Sequence, residues 1–181
     1  MFSFYLPAGC NRDDYKNEVI DRLGELCDIS SGYGVDLCHE NEKGIYGDIA
    51  SRCLEIHRTL PKLKAVFDPA NFVQCGQDTI KAWDLLGEYV KYVHIKDCLK
   101  DGSIVPAGLG DGNISYIAKK YLANGGRNFT MEPHLTVFSG LEALENEGNT
   151  SDIGNKYTFA NSNEAFDSAC TAFKKVLSEI E

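Results

Sequence analysis

The stretch LKAVFDPANFVQCGQDTIKAWDLLGEYVKYVHIKD, residues 63–97, decides the fold. Residues 63–67 are β-rich and stop at Asp68-Pro69, because proline cannot continue a central strand. Residues 78–86 read as a helix, and residues 89–95 as a second strand running into His94-Ile95-Lys96-Asp97. Working outward, the same alternation recurs. Residues 2–6 are a strand candidate closed by Pro7-Ala8-Gly9, and Asp13 or Asp14 then caps a helix with Val19, Ile20, Leu23 and Leu26 at helical spacing. A strand over 35–39 precedes a helix over 48–59. On the other side lie a glycine-rich loop (106–112), a helix (115–122), a strand (128–131), a polar, turn-rich segment (146–163) and a closing helix (165–180). Five strands alternating with helices predict a parallel α/β sheet, which a doubly wound fold and a (β/α)8 barrel both satisfy. Neither GxGxxG after a first strand nor GxxxxGK[ST] is present. Gly108-Leu109-Gly110-Asp111-Gly112 follows a long loop, so the expectation there is a flexible active-site loop.

Composition narrows the function classes. The 181 residues suit one domain, and 43% apolar with 25% charged residues is ordinary globular usage. A net charge of −9 repels phosphate backbones, so nucleic acid is not an expected partner. No stretch reaches the roughly 20 continuous apolar residues of a membrane helix, and the N-terminal MFSFYLPAGCNRDD does not read as a signal peptide. Seven scattered cysteines without a CxxC pair read as reduced thiols, mostly buried, in a cytoplasmic protein.

Four consecutive strand candidates end in a metal-competent side chain: Glu40, Asp68, His94 and Glu132, at intervals of 28, 26 and 38 residues. Equivalent strand ends of a parallel sheet share one face, so the four side chains are expected to converge. A single acid at a strand end is ordinarily a helix cap or a solvated loop residue; a set that recurs at each strand and includes a histidine is not explained by capping. Three clustered carboxylates repel one another and a divalent cation removes that conflict. Three oxygen ligands and one imidazole suit Mn2+, Mg2+, Co2+ or Zn2+. Nearby, Lys96 reads as a ligand for an anionic group or as the partner of Asp97, and His134 as a pocket or rim residue. His57, within a helix, reads as a surface or packing residue, and Glu42 and Trp83 as loop and helix-packing residues.

The motifs LCHENEKG (37–44), VFDPANF (66–72), YVHIKD (92–97), GLGDGNI (108–114) and TMEPHL (130–135) resemble, in order and spacing, the strand-end motifs of xylose isomerase-like barrel proteins over about residues 1–145. That superfamily includes sugar phosphate isomerases and epimerases, hydroxypyruvate isomerases, inosose dehydratases and endonuclease IV-like enzymes. The resemblance implies a TIM-type barrel, metal ligands at Glu40, Asp68, His94 and Glu132, and Glu40 and Glu132 as an acid/base pair. Substrate contacts are expected at Asn71, Lys96 and His134. Family members often carry a histidine three residues after the metal aspartate, where this chain has Asn71; an amide hydrogen-bonds a hydroxyl but does not relay protons.

The expected function is a metal-dependent sugar or sugar phosphate isomerase or epimerase working through a cis-enediolate. The alternatives are an inosose dehydratase-like lyase and an inactive sugar-binding barrel; the endonuclease branch, which needs more histidines and a basic groove, comes last. A (β/α)8 barrel takes about 250 residues. The motifs begin at a strand normally fourth, so residues 2–6 are expected to be the third strand of an incomplete barrel lacking its first two βα units. The exposed strand edge predicts a homo-oligomer.

Overall fold

The computed structural model describes residues 1–136 and 157–180. Its central sheet is parallel, in the order β1 (Cys38–Glu40), β2 (Lys64–Phe67), β3 (Val90–Ile95) and β6 (Phe129–Met131). Between β3 and β6 the chain makes a small antiparallel ribbon, β4 (Asp97–Cys98) with β5 (Ile104–Val105). The helices are α1 (Lys16–Ser31), α2 (Ala50–Thr59), α3 (Pro69–Gln74), α4 (Thr79–Leu86), α5 (Ile114–Ala123) and α6 (Ser162–Ile180). Among the described residues the sheet does not close, and β1 and β6 are its two edges. The architecture is an incomplete barrel.

Strand alternation divides the sheet into two faces. On β3, Val93 and Ile95 point to the helices and pack with Phe67, Trp83, Leu86, Ile117 and Phe173 in the main core. Tyr92 and His94 take the other face, in register with Val66 of β2 and Thr130 of β6 respectively. Since Glu40 pairs with Val66, Glu40, Asp68, His94, Lys96 and Glu132 all fall on that second face by steps of two. His39, one residue before Glu40, therefore points into the helical layer. There it is 1% exposed, and a Cβ on Gly47 would lie 2.3 Å from its ring. Only glycine fits that crossing.

The structure corrects several expectations. Residues 2–6 are not a strand. Only Met1 pairs with β1, its amino group donating to the Cys38 carbonyl and its carbonyl accepting from Glu40 N–H. Phe4 and Leu6 instead pack on the cluster of α1 and Ile56, so side-chain burial rather than ladder bonding holds the segment. The strand expected over 35–39 begins only at Cys38, and Val35 is exposed. Helix α1 is entered through a 3-10 turn, Arg12–Tyr15, capped by Asn11 rather than by Asp13 or Asp14. His57 is fully buried, with Nδ1 3.2 Å from the Leu63 carbonyl. All seven cysteines are free. Of the polar segment 146–163, residues up to 156 lie outside the described residues. No helix among the described residues is long and apolar enough to cross a membrane.

Candidate metal centre

Glu40 ends β1, Asp68 follows β2, His94 lies near the end of β3 and Glu132 follows β6. Their ligand atoms all lie within 4.8 Å of one another. Atoms bound to one ion at 2.0–2.6 Å are separated by no more than about twice that distance, so the cluster has the right span. The convergence has a local cause at each strand. Asn41 extends the β1–β2 ladder with its side chain: Oδ1 accepts from Asp68 N–H and Nδ2 donates to the Asp68 carbonyl, both at 2.9 Å. Asp68 is also the N-cap of α3, with Oδ1 accepting from Asn71 N–H at 2.9 Å and Pro69 in the first turn. Capping fixes one oxygen and leaves Oδ2 turned to the centre. Capping and ligation are thus compatible in this residue.

His94 Nδ1 is 2.9 Å from Glu40 Oε1 and 2.6 Å from Glu132 Oε2. Of the two, only the Glu40 contact has hydrogen-bond geometry. Glu132 Oε2 and Asp68 Oδ2 are buried without a directed hydrogen bond, although Lys96 Nζ lies 3.0 Å from the latter. Glu132 Oε1 is held by His134 Nε2 at 3.2 Å. Two buried carboxylate oxygens left over beside an imidazole nitrogen are the donor set a divalent ion completes, and Glu40, Asp68, His94 and Glu132 fit such an ion.

Without an ion, the charges compensate one another. Burial disfavours charge on His94, but the carboxylates of Glu132 and Glu40 beside its ring raise it to about 10. Burial alone would raise the Glu132 carboxyl; the contacts from His134 and His94 and the charge of Lys96 outweigh it and hold it well below its ordinary range. Asp68 is pushed up by burial, with Glu40 and Glu132 adding to the rise and Lys96 opposing it. Lys96 stays charged against its own burial because Asp68, Glu132 and Glu42 surround it.

Imidazolium and metal compete for Nδ1, which gives a measurable linkage. Titrating the metal-free protein with Mn2+ between pH 7 and 9 is expected to release about one proton per ion, with apparent affinity rising about tenfold per pH unit. Calorimetry in buffers of different ionisation enthalpy checks this; binding without proton release would remove His94 from the ligand set. In the metal-free fold, the stabilisation from the raised His94 is complete below its ordinary value near 6.5 and is lost as pH rises through about 10. Added metal should therefore raise the melting temperature most at alkaline pH.

The other residues singled out from sequence are placed as follows. Lys96 is 4% exposed and pairs with Asp68, not with Asp97. Asn71 is buried and its amide donates to the Asn41 carbonyl at 2.9 Å and to Glu42 Oε2 at 3.2 Å. His134 stands against Glu132 with a left-handed backbone, φ 46°. Glu42 belongs to the site's surroundings rather than to a solvated loop: burial raises it to about 7, with Lys96 opposing. The phenol of Tyr5 is raised by burial and by the charges of Glu42 and Glu40. Asn41 and Glu42 sit inside the motif that carries Glu40, which is the sequence signal that could have found them. The glycine loop is tied to one carboxylate rather than left without anchors. The buried Asp97 carboxylate accepts from the N–H groups of Cys98, Gly108, Gly110 and Gly112 at 2.9–3.0 Å. A Cβ on Gly110 would lie 2.4 Å from Asp97 Oδ1.

Residues 3–134, which include all four candidate ligands, match the family model described as xylose isomerase-like TIM barrel. The chain belongs to this family. Comparison with curated protein sequences gives no match. Among solved structures, an L-ribulose 3-epimerase superposes with a TM-score of 0.72 at 16% identity, covering 97% of this chain and 58% of its own. The zinc-bound IolI protein gives 0.70 at 18%, covering 98% and 62%. The D-psicose 3-epimerase of Clostridium cellulolyticum H10, solved with D-tagatose, gives 0.66 at 18%, covering 95% and 58%. These likenesses are of fold, and the chain spans about three fifths of the length of each structure.

Proposed function

We propose that the chain is a divalent-metal-dependent isomerase or epimerase of a ketose, using Glu40 and Glu132 as its acid/base pair. The observation that carries this reading is the meeting of two glutamates from opposite edges of the sheet on one imidazole nitrogen, 2.9 and 2.6 Å away. The epimerases and the zinc-bound IolI protein among its structural neighbours support the same class of chemistry. A divalent ion held by Glu40, Asp68, His94 and Glu132 would act as a Lewis acid toward a carbonyl and its adjacent hydroxyl, acidifying the neighbouring C–H.

The chain's own residues then divide the proton transfers. One glutamate takes the proton from the carbon beside the carbonyl, leaving an enediolate. The other returns a proton to the opposite face of that carbon in epimerisation, or to the adjacent carbon in isomerisation. His134 orients Glu132 through Oε1, and Lys96, 3.0 Å from Asp68 Oδ2, opposes the rise that burial imposes on that carboxyl. Asn71, committed to Asn41 and Glu42, shapes the wall of the site and moves no proton.

The test is a ketose panel incubated with the Mn2+-loaded protein in D2O and followed by NMR. Deuterium entering the carbon beside the carbonyl, with the molecule otherwise intact, is the expected result. Loss of water would assign dehydration instead, and no exchange with any ketose would overturn proton-transfer chemistry.

A further inference from the structure

Helix α1 is packed on one flank and bare on the other. Val19, Leu23 and Cys27 face the core, and beside them a Cβ on Gly24 would stand 3.6 Å from the Leu60 side chain just past α2. With side chains turning by about 100° per residue, Arg22, Leu26 and Ile29 fall on the flank away from α2. Leu26 and Ile29 are exposed there, Ile29 at 59%. The apolar stripe continues past the helix: Tyr33, four residues after Ile29, is 80% exposed and Val35 61%. The N–H groups of Tyr33 and Val35 both donate to the Ser30 carbonyl, at 3.0 and 3.5 Å, which folds the pair back onto the last turn.

Among the described residues nine large apolar side chains are exposed, and six of them lie in the first 35 residues. The other three, Leu85, Leu109 and Phe166, stand singly on α4, the glycine loop and α6, as scattered surface residues do. A contiguous stripe is different, because exposed apolar patches mark interaction surfaces.

An ion pair stands at each end of the stripe. At one end Arg22 is bridged to Glu18, and its guanidinium lies 4.6 Å from the centre of the Phe4 ring. At the other, Asp36 follows Val35 and is bridged to Lys91 at 2.6 Å. These four side chains remain 48–59% exposed, whereas Asp21, Glu25 and Asp28 lie farther round, toward solvent. In a two-fold contact the same surface meets itself. Two such helices laid antiparallel would bring Leu26, Ile29 and Tyr33 together across the axis. They would also set Arg22 against the partner's Asp36, and Glu18 against the partner's Lys91, at both ends. A parallel arrangement would oppose like charges instead. The order of charges along the stripe therefore favours a second copy, docked antiparallel.

We infer that two copies of the chain associate through this flank of α1, with Ile29 and Tyr33 as the central contacts. The inference is independent of the ketose reading. Sedimentation velocity of the full chain tests it, and a dimer is expected. Ile29→Glu or Tyr33→Glu should raise its dissociation constant at least about a hundredfold, since each places a charge in both halves of the contact. Both side chains are exposed, so the far-UV circular dichroism should not change. Leu85→Glu and Phe166→Glu, at the scattered positions, should leave the dimer intact. Arg22→Glu and Asp36→Lys should each weaken it about tenfold and together restore it. A chain still monomeric at about 0.5 mM overturns the inference, as does a dimer or larger assembly that Ile29→Glu and Tyr33→Glu leave intact. A monomer whose flank binds an apolar dye, with binding lost in Ile29→Glu, assigns the stripe to another partner and equally overturns the second copy. Failure of the double charge exchange to restore association overturns the antiparallel docking.

Discussion

Glu40→Gln and Glu132→Gln are each expected to lower interconversion of the two ketoses by about a thousandfold, within the range of a positioned general acid or base. Glutamine keeps an oxygen ligand of the same length and removes the proton acceptor. The Mn2+-induced rise in melting temperature should therefore survive in both variants, though reduced. The two losses should also differ in kind. In a two-base epimerisation each carboxylate serves one face of the reacting carbon, so each variant should keep solvent exchange with one epimer and lose it with the other. NMR of both epimers in D2O, beside a thermal titration with Mn2+, checks the pair. Interconversion within about tenfold of the unmodified protein in both variants would end the assignment. Loss of metal binding in both would make the glutamates ligands alone.

Asp97→Ala is expected to be the most destabilising single change outside the centre. It removes one buried carboxylate and strips four main-chain N–H groups of their acceptor. Unsatisfied donors cost about 1–3 kcal/mol each. With some of the loop relaxing into water, a loss of at least about 3 kcal/mol is expected in urea unfolding. Burial raises Asp97 to about 6 against the pull of these amides, so the carboxylate is charged at neutral pH, where the measurement belongs. Because the vacated cradle is an anion site, formate or acetate should recover part of the stability of Asp97→Ala and leave the unmodified protein unchanged. A loss below about 1 kcal/mol, or no recovery with either anion, would show that the amides find other partners.

The sheet order was largely legible from the chain. Hydrophobic runs ending in Asp68-Pro69 and in His94 mark parallel strands, because buried strands need apolar side chains and proline stops a ladder. Helix α4 was legible from the same pattern, and Asp78 caps it. Helix α3 was not anticipated: Asp68-Pro69 reads as a strand stop, and it is equally the cap and first residue of a helix. The segment 2–6 failed for the opposite reason. Its apolar pattern reports burial, and burial came from α1 and Ile56 without a strand partner for its backbone.

By itself the sequence determined which residues stand at the strand ends, since the period of two in a strand and the stop signals are local. That sufficed to nominate Glu40, Asp68, His94 and Glu132. Only the tertiary structure decided what surrounds them. Lys96 meets Asp68 rather than its neighbour Asp97 because successive residues of an extended chain point to opposite faces. Asn41 joins β1 to β2, Glu42 lies under Asn71, and Asp97 closes the glycine loop across 11 to 15 residues. Such contacts link side chains to distant backbone, and neither partner carries a periodic signal along the chain. Burial and charge at the centre are sums over all these elements, so they exist only once the strands lie side by side.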